Sequence, residues 1–152
     1  MPRTVLAFLV VAIASAAGSA TQSQQSPWPP KVTLDAHLHQ IAGPNIADCG
    51  IRAGSPVSSE ALNTALQCAA TMTQRHLAFR VVQRGASDDS EVAWGIVGTA
   101  DGSVVSFTYD SAPCGGPACA ERFDTTTCRL ADVKPTKLPG GADALACSPR
   151  SL

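Results

Sequence analysis

The six cysteines of the chain constrain its fold more than any other feature of the sequence. All of them follow residue 48, and their number is even. An even set of cysteines in an exported chain is ordinarily paired in disulfides, although the sequence alone does not choose the connectivity. Pairing by neighbourhood favours three bonds: Cys49–Cys68, Cys114–Cys119 and Cys128–Cys147.

A zinc site is the alternative for the last four cysteines. A zinc knuckle of this kind needs two C-x-x-C pairs, whereas the gaps between these four cysteines are 4, 8 and 18 residues. No C-x-x-C motif of the redox type is present either. The spacing therefore favours disulfides over metal ligation.

The N-terminal segment has the three-part layout of a secretory signal peptide. Arg3 supplies a positive charge, Val5 to Ala14 is an unbroken apolar run, and small residues follow up to Ala20. A membrane-spanning helix needs roughly 20 apolar residues, so this run is too short to serve as an anchor. We expect residues 1–20 to be a signal peptide, residues 21–30 a polar, proline-containing linker, and residues 31–152 a single small domain. Cleavage after Ala16 fits the same rule, so the cleavage site stays open.

Length and charge exclude several classes of protein. The chain has 152 residues, which is too few for an α/β barrel of about 250 residues. Its formal net charge is −1, so it has no strong positive field for nucleic acid. We expect a periplasmic or secreted protein that does not bind nucleic acid and whose mature chain does not insert into a membrane.

Hydrophobic periodicity predicts one helix and several strands. Residues 31–40 alternate apolar and polar side chains, which predicts a half-buried strand. Residues 59–75 have helical periodicity, and Ser58 and Ser59 offer an N-cap at the start of this helix. Strands are predicted at residues 77–84, 91–100, 103–110 and 122–130, followed by an irregular tail over residues 131–152.

The dipeptide Asp101-Gly102 predicts a two-residue hairpin turn between the second and third of these four strands. Such a turn sets Ile96 opposite Phe107 and Trp94 opposite Tyr109, on one face of the sheet. The preceding hairpin adds to the same face by setting Phe79 opposite Ile96 and Val81 opposite Trp94, with Arg84 opposite Glu91 on the other face. The predicted fold is therefore α+β: one main helix packed on an antiparallel meander of three to four strands, stapled by disulfides.

One run of polar residues suggests metal binding. In a strand, Asp35, His37 and His39 point to the same side, where alternate histidines can ligate a metal. The run LDAHLH also resembles the Asp-x-His-x-His strand end of amidohydrolases, and that resemblance implies a catalytic metal held by His37 and His39 in a barrel too long for this chain. The hypothesis that remains is a weak metal site at Asp35, His37 and His39.

The loop between Cys114 and Cys119 is the candidate contact with a partner. A disulfide across it makes Gly115, Gly116 and Pro117 a rigid exposed turn, and rigid loops lose less entropy on binding. The sequence contains no phosphate-binding loop, nucleophile elbow or zincin motif, so we predict no catalytic residues and no cofactor. The function expected first is a non-catalytic binding or inhibitor module whose partner is a protein or a small ligand. The alternatives are a metal-dependent protein that uses His37 and His39, or a structural envelope protein.

Overall fold

The computed structural model describes residues 30–50, 57–85, 89–116, 118–137, 141 and 143–148. The proposed signal peptide at residues 1–20 and all of the proposed linker except Pro30 lie outside the described residues. The elements in chain order are α1 (Leu34–Ala42), β1 (Ala47–Asp48), α2 (Ser59–Gln74), β2 (Phe79–Gly85), β3 (Val92–Gly98), β4 (Val104–Asp110), β5 (Arg122–Cys128), a 3-10 turn (Leu130–Asp132), β6 (Val133–Lys137) and β7 (Asp143–Cys147).

The strands form two sheets. The larger has the order β1-β2-β3-β4-β5, in which β1 runs parallel to β2 and the other neighbours are antiparallel. The smaller sheet is the hairpin of β6 and β7, and β7 packs against β3 and β4. The predicted fold class is therefore wrong: the protein has a five-stranded mixed sheet, a second two-stranded sheet and two helices. Two segments of the tail that was expected to be irregular, β6 and β7, form the second sheet.

Residues 34–42 form a helix where a strand was predicted. The side chain of Thr33 caps the helix by accepting a hydrogen bond from the Ala36 N–H at 3.2 Å. Leu34 and Leu38 are fully buried, and the half-buried Ile41 and Ala42 continue the same stripe. Because positions 34 and 38 fit both an alternating and a helical pattern, residues 31–40 alone do not distinguish the two. The helical period becomes visible only when residues 41 and 42 are included.

The hairpin between β3 and β4 has a register one residue away from the predicted one. The Thr99 N–H donates to the Ser103 carbonyl at 2.9 Å, and the Gly102 N–H donates to the Thr99 carbonyl at 3.0 Å. The loop therefore contains three residues and ends in Gly102 at φ +89°. Asp101-Gly102 suits this three-residue turn as well as the predicted two-residue one, so the dipeptide alone does not fix the register.

The changed register divides the apolar side chains between both faces of the sheet. Trp94 lies opposite Thr108, and Ile96 lies opposite Ser106. One face forms the α2-side core, which includes Leu62, Ala65, Ala69, Phe79, Val81, Ile96, Val104, Val133 and Leu145. The other face forms the α1-side core, which contains Leu34, Leu38, Ala93, Val97, Val105, Phe107 and Tyr109. Each apolar face of the sheet must be buried against another element, so the protein has a helix on each face.

The hairpin between β2 and β3 differs from the prediction by two residues. Phe79 lies opposite Gly98, and Val81 lies opposite Ile96. A shift of two keeps every side chain on its predicted face, so both Phe79 and Val81 are in the core. The predicted pairing of Arg84 with Glu91 is present as an ion pair, although Arg84 lies opposite Ala93.

The predicted cap of α2 and the predicted pairing of the cysteines are confirmed. Ser58 caps α2 by accepting from the Ala61 N–H at 3.1 Å, and the predicted apolar stripe of this helix faces the sheet. All six cysteines lie within the described residues and none is free. Their Cα atoms are 5.5, 5.9 and 5.8 Å apart in the predicted pairs Cys49–Cys68, Cys114–Cys119 and Cys128–Cys147.

We predict that Gly98→Ala destabilises the protein, whereas Gly116→Ala does not. The ring of Phe79 lies directly over Gly98, so a Cβ there would stand 2.0 Å from Phe79 Cε1. A Cβ at Gly116 meets no atom within 4 Å. Overpacking of this kind costs about 1–3 kcal/mol, because the buried ring must leave its position. Urea unfolding of both variants measures the difference, and equal midpoints would contradict the packing of Phe79 on Gly98.

Candidate functional site

Helix α1 separates the three side chains that were predicted to share a metal. A helix turns about 100° per residue, so His37 projects roughly opposite to Asp35 and His39. Asp35 and His39 are exposed, whereas the His37 side chain is only 17% exposed. The described residues contain no cluster of three or more His, Cys, Asp or Glu side chains that could hold a metal ion. The shared face expected at Asp35, His37 and His39 does not form, because it required a strand.

Asp35 forms an ion pair that joins α1 to β2. Its Oδ1 atom accepts a hydrogen bond from Arg80 Nη1 at 2.6 Å, and Arg80 Nη2 lies 3.7 Å from Asp48 Oδ2. The adjoining cavity has a volume of about 340 Å³ and is lined by Asp48, Arg80, Val82 and Arg84. Both arginines are already paired with carboxylates, so the described residues of this cavity offer no unpaired positive charge to an anionic ligand.

His37 lies at the other side of α1, against the start of β5. Its ring stacks on Phe123 with centroids 4.2 Å apart and an angle of 12° between the planes. Its Nε2 atom is buried 3.8 Å from Glu121 Oε1, and no described residue forms a hydrogen bond with it. The His37 ring thereby joins α1 to the segment that enters β5.

Glu121 is held as a carboxylate by its surroundings. A hydrogen bond from its own backbone N–H is the largest cause that lowers its pKa below the ordinary value. Desolvation, the second-largest effect, raises the pKa, while the Val32 backbone N–H and the charges of His37 and Lys31 lower it by smaller amounts. The Glu121 side chain is only 16% exposed, so this carboxylate is a fixed part of the cluster.

Tyr109 completes the cluster from the sheet below. Its hydroxyl donates to the Val32 carbonyl at 3.1 Å, and its ring centroid lies 6.0 Å from that of His37. Burial raises the pKa of the Tyr109 hydroxyl, and the nearby charge of Glu121 raises it further. The phenol is therefore neutral at physiological pH and acts as a hydrogen-bond donor. We call His37, Tyr109, Glu121 and Phe123 the His37 cluster.

The stapled loop, residues 111–121, lies directly beside the His37 cluster and connects β4 to β5. Cys114 and Cys119 are bonded across it, and Gly115 takes φ +79°, in the left-handed region that favours glycine. The Gly115 N–H donates to the Ala112 carbonyl at 2.9 Å. Gly115 is exposed and Gly116 is half-buried, while Pro117 lies outside the described residues.

Both flanks of the stapled loop are fixed to the body of the protein. On the β4 side, the Glu91 N–H donates to Ser111 Oγ at 2.7 Å and the Ser111 N–H donates to the Glu91 carbonyl at 2.9 Å. Lys31 Nζ donates to the Ser111 carbonyl at 2.5 Å, and the adjacent Ala112 is buried. On the β5 side, Glu121 belongs to the His37 cluster. The loop is thus a short exposed segment between two anchored ends.

The sequence predicted the loop but not the cluster beneath it. Glu121 and Phe123 lie more than 80 residues from His37 in the chain, and no local pattern links them. The only available signal was the helical stripe that extends to Ile41 and Ala42, which would have turned His37 away from Asp35.

No helix in the described part of the chain is long and apolar enough to cross a membrane. Comparisons of the chain with protein-family models, curated proteins and solved structures found no match in any of the three.

We predict that Glu121→Gln destabilises the protein at pH 7 and that this difference shrinks as the pH falls. Because folding lowers the pKa of Glu121, its contribution to stability is complete above the ordinary pKa of 4.5 and disappears as the pH falls through the folded-state value. Urea unfolding of the wild type and the variant from pH 7 to pH 3 measures the difference. A difference that does not change with pH would show that the charge of Glu121 is unimportant.

Proposed function

We propose that the protein is a non-catalytic binding or inhibitor module of the periplasm or the extracellular space, and that it contacts its partner through the stapled loop. The observation that supports this proposal most is the loop itself. It is exposed, cross-linked by Cys114–Cys119 and anchored at Ser111 and Glu121. Two neighbouring strands need only a short turn to connect them. A connection that is longer, cross-linked and anchored at both ends therefore favours a role beyond joining the strands.

A rigid loop suits binding for an energetic reason. Ordering a flexible side chain at an interface costs about 0.5–1.5 kcal/mol, and ordering of the backbone adds to that cost. The stapled loop is ordered before the partner arrives, so less free energy is lost on association. Loops on a rigid scaffold are also where binding residues are concentrated in proteins generally.

The disulfides support the proposed location. Three disulfides are typical of proteins from oxidising compartments, and the signal-like segment at residues 1–20 agrees with export. The formal net charge of −1 does not favour nucleic acid as the partner. The partner that fits is a protein or a small ligand of the same compartment.

A metal-dependent role for Asp35, His37 and His39 has less support. Asp35 is paired with Arg80, and His37 is stacked on Phe123. Of the three residues, only His39 forms no hydrogen bond, ion pair or ring contact with a described side chain, and one imidazole alone does not make a metal site.

We predict that Ala118→Arg weakens partner binding by about tenfold or more, which corresponds to about 1.4 kcal/mol. Ala118 is exposed within the stapled loop, so arginine there obstructs a partner without disturbing the core. The matched control is Gln67→Arg, which introduces the same side chain on the exposed face of α2.

The experiment has two stages. The protein purified from an oxidising compartment is immobilised and exposed to envelope extract, with and without a chelator, and captured proteins are identified by mass spectrometry. Each captured protein is then purified, and its affinity for the wild type and for both variants is measured by calorimetry. Binding that survives the chelator and is lost only with Ala118→Arg supports the proposal. Binding lost with the chelator would favour the metal-dependent alternative. Equal binding by both variants would show that the stapled loop does not contact the partner.

A further inference from the structure

Strand β5 is a long exposed edge of the main sheet. It is last in the strand order and, within the described residues, pairs only with β4. All seven of its residues are in regular register with β4, from Arg122 opposite Asp110 to Cys128 opposite Val104. Alternate backbone N–H and C=O groups on its outer side therefore have no strand partner.

Strand β5 has few of the features that prevent an edge strand from pairing with another chain. Natural edge strands are usually short, bulged, or interrupted by lysine or proline. Strand β5 has no bulge, no lysine and no proline, and Asp124 to Thr127 are four exposed residues in succession. Three of these four are threonine, which favours extended structure. The charge on the strand consists of Arg122 and Asp124, which pair with each other at 2.6 Å.

The opposite edge of the sheet cannot receive β5. Strand β1 has two residues, and Cys49 follows it immediately in a disulfide with α2. Head-to-tail joining of β5 to β1 would therefore pair only two residues. Pairing of β5 with β5 uses all seven.

We propose that β5 is a self-association surface, on which a second copy of this chain pairs antiparallel about a two-fold axis at Thr125. In this register Thr125 faces Thr125, and Asp124 faces Thr126 of the second copy. No like charges lie opposite one another. At each end, Arg129 comes opposite Glu121 of the second copy. Arg129 is already paired with Asp132 at 3.1 Å and Glu121 belongs to the His37 cluster, so these positions bring no like charges together.

Neighbouring registers are less favourable. A two-fold axis at Asp124 sets the two Asp124 carboxylates against each other. An axis at Phe123 brings Cys119 of the stapled loop opposite Thr127 of the second copy and leaves only three strand residues paired. A register shifted by one residue would place the side chains of paired residues on opposite faces of the joint sheet.

The dimer has a consequence for binding. Arg122 of one copy lies opposite Cys128 of the other, so the two stapled loops leave the shared strand pair about 20 Å apart, six residues at about 3.4 Å each. A partner with two sites at that spacing would bind with avidity. Self-association itself does not depend on the proposed function of the loop.

The test is the oligomeric state of the purified, disulfide-bonded protein, measured by sedimentation equilibrium from about 5 to about 500 μM, since a small strand interface makes association depend on concentration. We expect a monomer–dimer equilibrium in the wild type. Thr125→Lys places two like charges opposite each other at the axis and should raise the dimer dissociation constant about tenfold or more. Thr125→Val keeps the backbone and the extended propensity, so it should retain the dimer.

The matched control is Thr71→Lys, which makes the same change at an exposed position on α2. Circular dichroism establishes that each variant is folded, and Arg129→Glu, which opposes Glu121 of the second copy, provides an independent variant that should also weaken the dimer. A wild type that stays monomeric at all concentrations would overturn the proposal. So would a dimer that Thr125→Lys does not weaken, or that Thr71→Lys weakens equally.

Discussion

The turn between β3 and β4 determines most of this structure. The Asp101 carboxylate accepts hydrogen bonds from the Thr99 hydroxyl and, at 3.0 Å, from the Ser103 N–H. These bonds, with Gly102 at φ +89°, close a three-residue loop and set Gly98 opposite Val104. Because side chains alternate along a strand, a change of one residue here would move every side chain of β4 relative to β3 to the other face. The register therefore decides where the apolar surface lies.

That register makes both faces of the sheet apolar, and the two helices and the second sheet follow from it. Helix α2 and β7 cover the face that contains Phe79 and Ile96, while α1 covers the face that contains Val97 and Phe107. Covering the second face brings α1 over the start of β5. His37 then stacks on Phe123 beside Glu121, and the stapled loop is held at the end that enters β5. The candidate site is thus a consequence of the need to bury the second apolar face.

Local signals predicted the parts of the fold that depend on neighbouring residues. The Ser58 cap and the stripe of α2 lie within one helix, and each disulfide joins cysteines that are neighbours in the cysteine order. The wrong predictions concern choices that local sequence leaves open. The positions of Leu34 and Leu38 suit a strand or a helix, and Asp101-Gly102 suits two turn lengths. The stapled loop was identifiable from its cysteines, whereas the contact of His37 with Glu121 is visible only in the folded protein.

Nuclear Overhauser effects across the β3–β4 hairpin test the register of the main sheet most directly. The three-residue turn predicts backbone contacts that pair Ala93 with Tyr109 and Val97 with Val105, together with contacts from the Leu34 and Leu38 methyl groups to side chains of the α1-side core. Contacts that instead pair Trp94 with Tyr109 and Ile96 with Phe107 would restore the two-residue turn. The sheet would then have only one apolar face, and α1 would have no apolar surface to cover. That result would contradict the placement of His37 beside the stapled loop.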